Sequence, residues 1–389
     1  MTSFRNVVLG DKRVDLGVRD GRIAWITPTG ASPRAADGEE AVAGGMITPH
    51  LAEPHVHLDA TLLGARKPNR TGTLREGIAN WAELRPELTA DDVIARSRET
   101  IARYRHFGCT RIRTHVDTGS AVAVEALVSL RESVRSEGID LQIVAFPQEG
   151  ILRGPGRREA WIAAVESGCD AVGAIPHFER TTEEGWQSVR LAFQLAEKHG
   201  LRLDFHCDET DDPGSRNLEV VCAETMDRGL AGRVVAGHCT ALHSYPNPYA
   251  AKVVELVAAS GVQVVTNPLD NVVLQGRYDT YPRRRGLTRV DALWAAGATV
   301  GIGHDSVQDP WYPLGTANLM DAAYMLVHLG QLMSRDELAR AARTLWTENH
   351  LPFGDVPRIE EGGPAKLLWW PAEDEVALLR ERPVPRVFG

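Results

Sequence analysis

Eight short runs of apolar and β-branched residues recur along the chain, and segments with helical character separate them. The runs lie at about 45–57, 110–117, 141–148, 170–177, 201–208, 233–240, 262–269 and 298–305. Nearly continuous apolar strands that alternate with helices indicate a parallel sheet, because crossover helices cover its faces. Eight such units in about 250 residues predict an α/β fold, a closed (β/α)8 TIM barrel. An open doubly wound sheet is the alternative, but no glycine-rich phosphate loop follows the first run.

The two ends of the chain have a different pattern. Residues 1–44 alternate apolar and polar residues between Gly and Asp turns, which is typical of a small antiparallel sheet. The tail contains short strand-like runs such as "KLLWW" and could complete that sheet. We therefore expect 1–44 and 346–389 to form one accessory β-sandwich and 45–345 to form the barrel.

Residues that bind metals well end four of the predicted strands. His55 and His57 end the first, and His206, His238 and Asp305 end the fifth, sixth and eighth. The carboxyl ends of barrel strands meet on one face, and alternate residues of a strand point to the same side. Three of the imidazoles with the Asp305 carboxylate suit one divalent ion, Fe²⁺ or Zn²⁺, with a position open for water, whose pKa the ion lowers. Taken singly, each residue could merely end its strand, and the first pair could belong to a closed structural metal site.

Composition limits the partners and the compartment. The net charge of −9, from 43 basic and 52 acidic residues, disfavours a nucleic-acid surface. The sequence shows neither an apolar secretory region nor a run long enough to span a membrane. The five cysteines are scattered along the chain and odd in number, as is typical of reduced thiols in a cytoplasm. We therefore expect a cytoplasmic protein that acts on a small molecule.

Long motifs carry a family resemblance. They are "EPHVHLD", "RTHVD", "DLQIVAFPQEGI", "AVGAIPHFE", "HCDETDD", "LQGRYDTYPRRRGLTRV" and "DPWYPLGTAN". From about residue 18 to about residue 330 the chain resembles the bacterial cytosine deaminases of the amidohydrolase superfamily. The resemblance implies a metal-dependent (β/α)8 barrel with a flanking β-sandwich, a homo-oligomer, and hydrolytic deamination of a free pyrimidine base with release of ammonia, as in pyrimidine salvage. It fades after about residue 340, so the accessory sheet could lack its last strand.

The resemblance also implies catalytic roles. His55, His57, His206 and Asp305 would hold the metal. Glu209 would move a proton from water to the ring nitrogen beside the attacked carbon. His238 would stabilise the tetrahedral centre, and Asp305 would also help a proton reach the departing ammonia. The predicted fourth strand, "AVGAIPHFE", lacks the lysine that binuclear members of the superfamily use, which favours one metal ion.

Substrate contacts follow from the same resemblance. The amide of Gln148 would bind the adjacent carbonyl and N–H of a pyrimidine edge. Leu74 would meet the ring through its backbone, and Trp311 would form a wall of the pocket or serve a structural role.

One position departs from the family pattern. Where cytosine deaminases carry "H-D-D", with the second acid near the C5 edge of the ring, this chain has His304, Asp305 and Ser306. A smaller, neutral Ser306 should leave room for a 5-substituent and remove the cost of burying it beside a carboxylate. We therefore predict that 5-methylcytosine is accepted, alone or together with cytosine. An s-triazine or isocytosine substrate, or an inactive metal-binding scaffold, are the alternatives.

Overall fold

The structure is a computed structural model that describes residues 2–31 and 40–389. Its strands are β1 (Thr2–Leu9), β2 (Lys12–Arg19), β3 (Arg22–Pro28), β4 (Glu40–Ala43), β5 (Met46–Pro49), β6 (Leu51–Val56), β7 (Cys109–Asp117), β8 (Asp140–Phe146), β9 (Ala171–Ala174), β10 (Arg202–Cys207), β11 (Val234–His238), β12 (Gln263–Thr266), β13 (Val300–Ile302), β14 (Leu367–Trp370) and β15 (Arg386–Phe388).

The helices that connect and cover these strands are α1 (Leu74–Leu84), α2 (Ala90–His106), α3 (Ala121–Arg135), α4 (Arg157–Glu166), α5 (Thr182–His199), α6 (Asn217–Asp227), α7 (Ala241–Ser244), α8 (Asn247–Ser260), α9 (Pro268–Leu274), α10 (Val290–Ala295), α11 (Leu319–Gly330), α12 (Arg335–Thr344) and α13 (Glu375–Glu381). Short 3₁₀ turns lie at Arg85–Glu87, Pro176–Phe178 and Glu348–Phe353. Among the described residues, no helix is both long and apolar enough to cross a membrane.

The strands β6 to β13 form one eight-stranded sheet in sequential order, and each pair of neighbours is parallel. The sheet closes where Val56 bridges Asp305 in parallel and the Asp305 N–H donates to the His55 carbonyl over 2.9 Å. The predicted (β/α)8 barrel is therefore confirmed. Closure brings the end of the first strand and the segment after the last one together, which positions the site described below.

Both ends of the chain build a second, seven-stranded sheet. Its order is β15-β14-β5-β1-β2-β3, and β4 also pairs with β1. An accessory β domain from both chain ends is thus confirmed, although residues 32–39 of the predicted segment 1–44 lie outside the described residues. The division at 1–44, 45–345 and 346–389 stays a prediction.

The single strand predicted over 45–57 is wrong, because two strands occupy that run. β5 pairs with β1 and with β14 in the accessory sheet, whereas β6 pairs with β7 in the barrel. Both strands are buried over nearly their whole length, so periodicity alone does not reveal where the chain passes from one sheet to the other.

Helix starts follow from local sequence. α2, α3 and α5 each begin after a Thr or Ser whose side chain accepts a hydrogen bond from the backbone N–H three residues on; these residues are Thr89, Ser120 and Thr181. Such caps satisfy N–H groups that have no partner inside the helix. They fix the residue at which each of these three helices starts.

Candidate metal centre and catalytic pocket

The predicted site residues emerge from tight backbone turns at the carboxyl ends of the barrel strands. His238 (φ 66°) and Asp305 (φ 67°) adopt left-handed backbone conformations. For a residue other than glycine this costs on the order of 1–3 kcal/mol and tends to occur at functional sites. The turns reverse the chain while leaving both side chains buried among the ends of neighbouring strands.

Four side chains converge on one small volume. The Nε2 atoms of His57 and His206 are 3.1 Å apart. Asp305 Oδ1 lies 3.5 Å from His57 Nε2 and 3.7 Å from His55 Nε2. Donor atoms that surround an ion tetrahedrally at about 2.0–2.1 Å are about 3.3 Å from one another. The observed separations are therefore close to those of a ligand set.

The electrostatic state of these residues also suits a metal ion. Both ring nitrogens of His55 and Nδ1 of His206 are buried and have no hydrogen-bond partner in the described part of the chain. Burial holds the pKa of His55, His57 and His206 well below the ordinary value, which keeps the imidazoles neutral and able to ligate. Neutral imidazoles beside a carboxylate fit a divalent cation, which would also satisfy the unpaired nitrogens.

Two glycines allow the neighbouring strands to approach His55. A Cβ atom at Gly237 would lie 3.0 Å from the His55 ring. One at Gly303 would lie 3.0 Å from His55 Cβ and only 2.3 Å from Asn267 Oδ1. A side chain at either position would therefore crowd His55, which would have to shift by a few tenths of an ångström.

Buried polar and aromatic residues contact the candidate metal-binding residues on the side away from the cavity. Glu53 accepts hydrogen bonds from the backbone N–H of His55 (2.8 Å) and of His304 (3.1 Å), and burial raises the pKa of Glu53 to about 8. The Phe146 ring stacks on His206 with centroids 3.9 Å apart. Our sequence analysis did not identify either residue, although Glu53 lies inside the motif "EPHVHLD".

A second polar group lies beneath His55. The His115 ring is 4.1 Å from the His55 ring, and its Nε2 lies 3.2 Å from Asp204 Oδ1. Asp204 is fully buried and pairs with the equally buried Arg113 over 2.9 Å. This ion pair fixes the Asp204 carboxylate close to His115, whose ring packs against the ligand His55.

Glu209 and His238 lie side by side next to the ligands. His238 Nδ1 is 3.7 Å from Glu209 Oε1 and 3.8 Å from Asp305 Oδ2, and it accepts a hydrogen bond from Asn271 Nδ2 over 3.0 Å. Burial raises the pKa of Glu209 to about 8. A carboxyl group with a pKa near the working pH can both accept and return a proton.

The predicted site residues surround a narrow cavity of about 20 Å³. Its lining is His57, Leu74, Gln148, His206, Glu209, His238, Asp270, Leu274, Asp305, Ser306 and Trp311. His55 is absent from this lining because it lies fully buried below it. The structure thus brings together the residues that the sequence placed in one site.

Asp270 is the main residue of the cavity that sequence reasoning missed. Its Oδ2 accepts a hydrogen bond from Ser306 Oγ over 2.5 Å. Burial, with Asp309 nearby, raises the pKa of Asp270 well above its ordinary value. The expectation that Ser306 leaves no carboxyl group beside it is therefore wrong, because α9 supplies one. The sequence could have indicated Asp270, because "NPLDN" places an acid and an amide directly after the seventh strand of the barrel.

A larger cavity of about 560 Å³ opens beyond the narrow one. Leu74, Glu209 and Leu274 line both cavities. The outer one is largely apolar and carries Arg277 and Tyr278 on its rim. The two cavities are therefore neighbours, with Glu209 lying between them.

Comparisons with known proteins agree with this site. The model of an amidohydrolase family matches residues 65–373. The solved structure of 5-methylcytosine deaminase from Klebsiella pneumoniae, liganded with phosphonocytosine, is 39% identical with a TM-score of 0.94, over 99% of this chain and 95% of that one. N-isopropylammelide isopropylaminohydrolase from Burkholderia multivorans is 27% identical with a TM-score of 0.83, over 100% and 96% of the two chains. A pterin deaminase from Rhizobium rhizogenes is 30% identical over 93% of this chain and 83% of its own length.

The chain belongs to the amidohydrolase family. The predicted class, a deaminase of the amidohydrolase superfamily, is confirmed. Members of this family depend on a metal, and the His and Asp residues described above could bind one. The relatives act on different rings.

Proposed function

We propose that this protein removes the exocyclic amino group of a cytosine-type base by hydrolysis, with 5-methylcytosine as a substrate and cytosine as a possible second one. The observation that supports this most is the common cavity of Gln148, Glu209 and Ser306 beside the metal donor set. A ring-binding amide, a proton carrier and a small residue would then surround one heterocycle. The solved 5-methylcytosine deaminase, 39% identical, supports the same choice.

One divalent ion, Fe²⁺ or Zn²⁺, would be held by His55, His57, His206 and Asp305. When bound, it would lower the pKa of water so that a nucleophile exists near neutral pH.

The protein's own residues would then position the ring and move protons. Gln148, about 5% exposed, can offer its amide N–H to a ring carbonyl and its amide oxygen to a ring N–H. Glu209, with its pKa raised to about 8, can take a proton and deliver it to the ring nitrogen, which makes the amino-bearing carbon electrophilic. His238, whose Nδ1 accepts from Asn271, is fixed to stabilise the tetrahedral centre. Asp305 Oδ2 lies on the His238 side and can pass a proton to the departing ammonia.

Acceptance of a 5-methyl group rests on space. Ser306 is about 1% exposed and lines the cavity, so its shorter side chain leaves volume that an aspartate would occupy. Ser306 does not leave this part of the cavity free of carboxyl groups, because Asp270 contacts it. A buried methyl group provides only about 1–3 kcal/mol of discrimination, so the preference for the methylated base should be modest.

A larger aminated ring is the second candidate. The inner cavity, about 20 Å³, is narrow, and it shares the lining residues Leu74, Glu209 and Leu274 with the cavity of about 560 Å³. A ring whose amino carbon lies at the donor set would extend into that outer space, which exceeds what one pyrimidine fills. The 30% identity to a pterin deaminase favours including bicyclic rings among the substrates to test.

The test is ammonia release by metal-loaded protein given 5-methylcytosine, cytosine, isocytosine, an s-triazine and a pterin in parallel, with Glu209→Gln as the control. We expect the highest kcat/KM for 5-methylcytosine and loss of activity in the control. Ser306→Asp should lower kcat/KM for 5-methylcytosine more than for cytosine. Higher kcat/KM for a pterin, an s-triazine or isocytosine, or a strong preference for plain cytosine, would reject the proposed substrate.

We also propose that the protein works in the cytoplasm as a homo-oligomer. Light scattering of the metal-loaded protein tests the second point, and a monomer across a range of concentrations would contradict it.

A further inference from the structure

Asp270 has a position in the pocket that the proposed mechanism does not use. It lies on α9, is about 1% exposed, and lines the same narrow cavity as Glu209 and Asp305. The groups of described residues that could hold a metal ion do not include it. Its carboxyl group therefore faces the space for the ring without being one of the metal donors.

The two oxygens of Asp270 differ in their surroundings. Oδ2 accepts the hydrogen bond from Ser306 Oγ, whereas Oδ1 is buried and has no hydrogen-bond partner among the described residues. Most buried polar atoms in folded proteins are paired, since an unpaired one loses its interaction with water without compensation. An unpaired acceptor that belongs to the wall of a pocket implies a donor on the molecule that fills it.

The hydrogen bond from Ser306 to Asp270 determines which hydrogen-bonding groups these two residues present to a ligand. Ser306 has one hydroxyl proton, which is directed to Asp270, so its remaining capacity toward the ring is that of an acceptor. With Asp270 ionised, the pair therefore presents acceptors only to the cavity that Asp305 and Glu209 also line. A donor on the ring is favoured at that place and a carbonyl oxygen is disfavoured.

On these grounds we propose that Oδ1 of Asp270 accepts a hydrogen bond from the exocyclic amino group that is to be removed, so that Asp270 makes the pocket select the amino ring over its oxo product. The inference rests on the proposed function, since it presupposes an aminated heterocycle in this cavity. Once the amino group has been replaced by a carbonyl, Oδ1 faces another acceptor, and the product is released more readily.

The test compares binding of an amino ring with that of its oxo product. The pair is the base from which the wild-type holoenzyme releases ammonia and the corresponding product, for example 5-methylcytosine and thymine. Calorimetry in a Glu209→Gln background, where turnover is blocked, gives both dissociation constants. We expect Asp270→Ala to lower the ratio of oxo to amino dissociation constants about ten- to a hundredfold, because the buried amino donor is left without its acceptor.

Two further variants separate this role from a structural one. Asp270→Asn should keep much of the ratio, because its amide oxygen can replace Oδ1 while its N–H₂ donates to Ser306. Glu179→Gln changes a buried carboxyl group that accepts a hydrogen bond from the Ile151 N–H and lines neither cavity, and it should leave the ratio unchanged. Thermal unfolding of each variant shows whether the fold is kept.

The outcomes distinguish the two proposals. Equal weakening of both ligands in Asp270→Ala, or an equal fall of the ratio in Glu179→Gln, would overturn the role of Asp270 and leave the proposed function intact. Ammonia release from none of the tested bases would overturn both proposals together.

Discussion

The seam that closes the barrel depends on one buried side chain, Asn349. Its Nδ2 donates to the carbonyls of Ala52 and Ile302, both over 2.8 Å, and its Oδ1 accepts from the Ile302 N–H over 2.8 Å. Ala52 is on β6 and Ile302 on β13, so the amide links the first strand of the barrel to the last. Replacing it removes the link without changing any residue of the metal site.

The magnitude follows from these bonds. Asn349→Leu keeps a similar volume but removes three hydrogen bonds at a residue that is 0% exposed. At about 1 kcal/mol each, with backbone groups left unpaired, the free energy of unfolding should fall by about 3–5 kcal/mol. For a chain of this length, a loss of about 3 kcal/mol lowers the Tm by about 4 °C.

The assay is thermal and urea unfolding of the metal-loaded wild type and variant under identical conditions. Asn247→Leu is the matched control, because Asn247 is exposed and accepts a hydrogen bond from Arg289, and its change should stay within about 0.5 kcal/mol. If Asn349→Leu unfolds within the same margin as the control, the amide does not hold the seam and the reasoning fails.

Three further outcomes are expected. Removing the metal with a chelator should lower the Tm of the wild type, because neutral buried imidazoles lose the ion they surround; an unchanged Tm would argue against a bound metal. Gly237→Ala should lower the metal content per chain measured by atomic emission, since its Cβ would lie 3.0 Å from the His55 ring, and full occupancy would contradict this. Burial, with Arg111 nearby, lowers the pKa of His350 from 6.5 to about 4. Between these two pH values the unfolded chain binds a proton that the folded chain does not. His350 therefore makes the fold less stable as the pH falls from 6.5 towards 4. His350→Gln can still donate to the His50 carbonyl. Its urea midpoint should therefore fall less than that of the wild type between pH 7.5 and 5. Equal falls of the two midpoints would refute the role of His350 in this pH dependence.

The barrel could be predicted because its signal is local and repeated. Each strand is an apolar run and each crossover helix has its own start, and these features do not depend on distant contacts. The same periodicity places His206, His238 and Asp305 at the carboxyl ends of their strands, and these ends share one face in any closed parallel barrel. For this reason the metal site and Glu209 could be expected together before any distance was known.

The contacts inside the pocket could not be predicted in that way. Ser306 and Asp270 are 36 positions apart, and their hydrogen bond exists only because the loop after β13 is brought beside α9 when the barrel closes. The change of sheet between β5 and β6 was likewise hidden, because both strands are buried and local burial does not indicate which sheet a strand joins. The sequence by itself determined the barrel, the accessory sheet and the side chains at the strand ends, since periodicity and residue type are local properties. Only the tertiary structure decided which buried oxygen remains unpaired beside the site, because hydrogen-bond pairing depends on which distant segments meet.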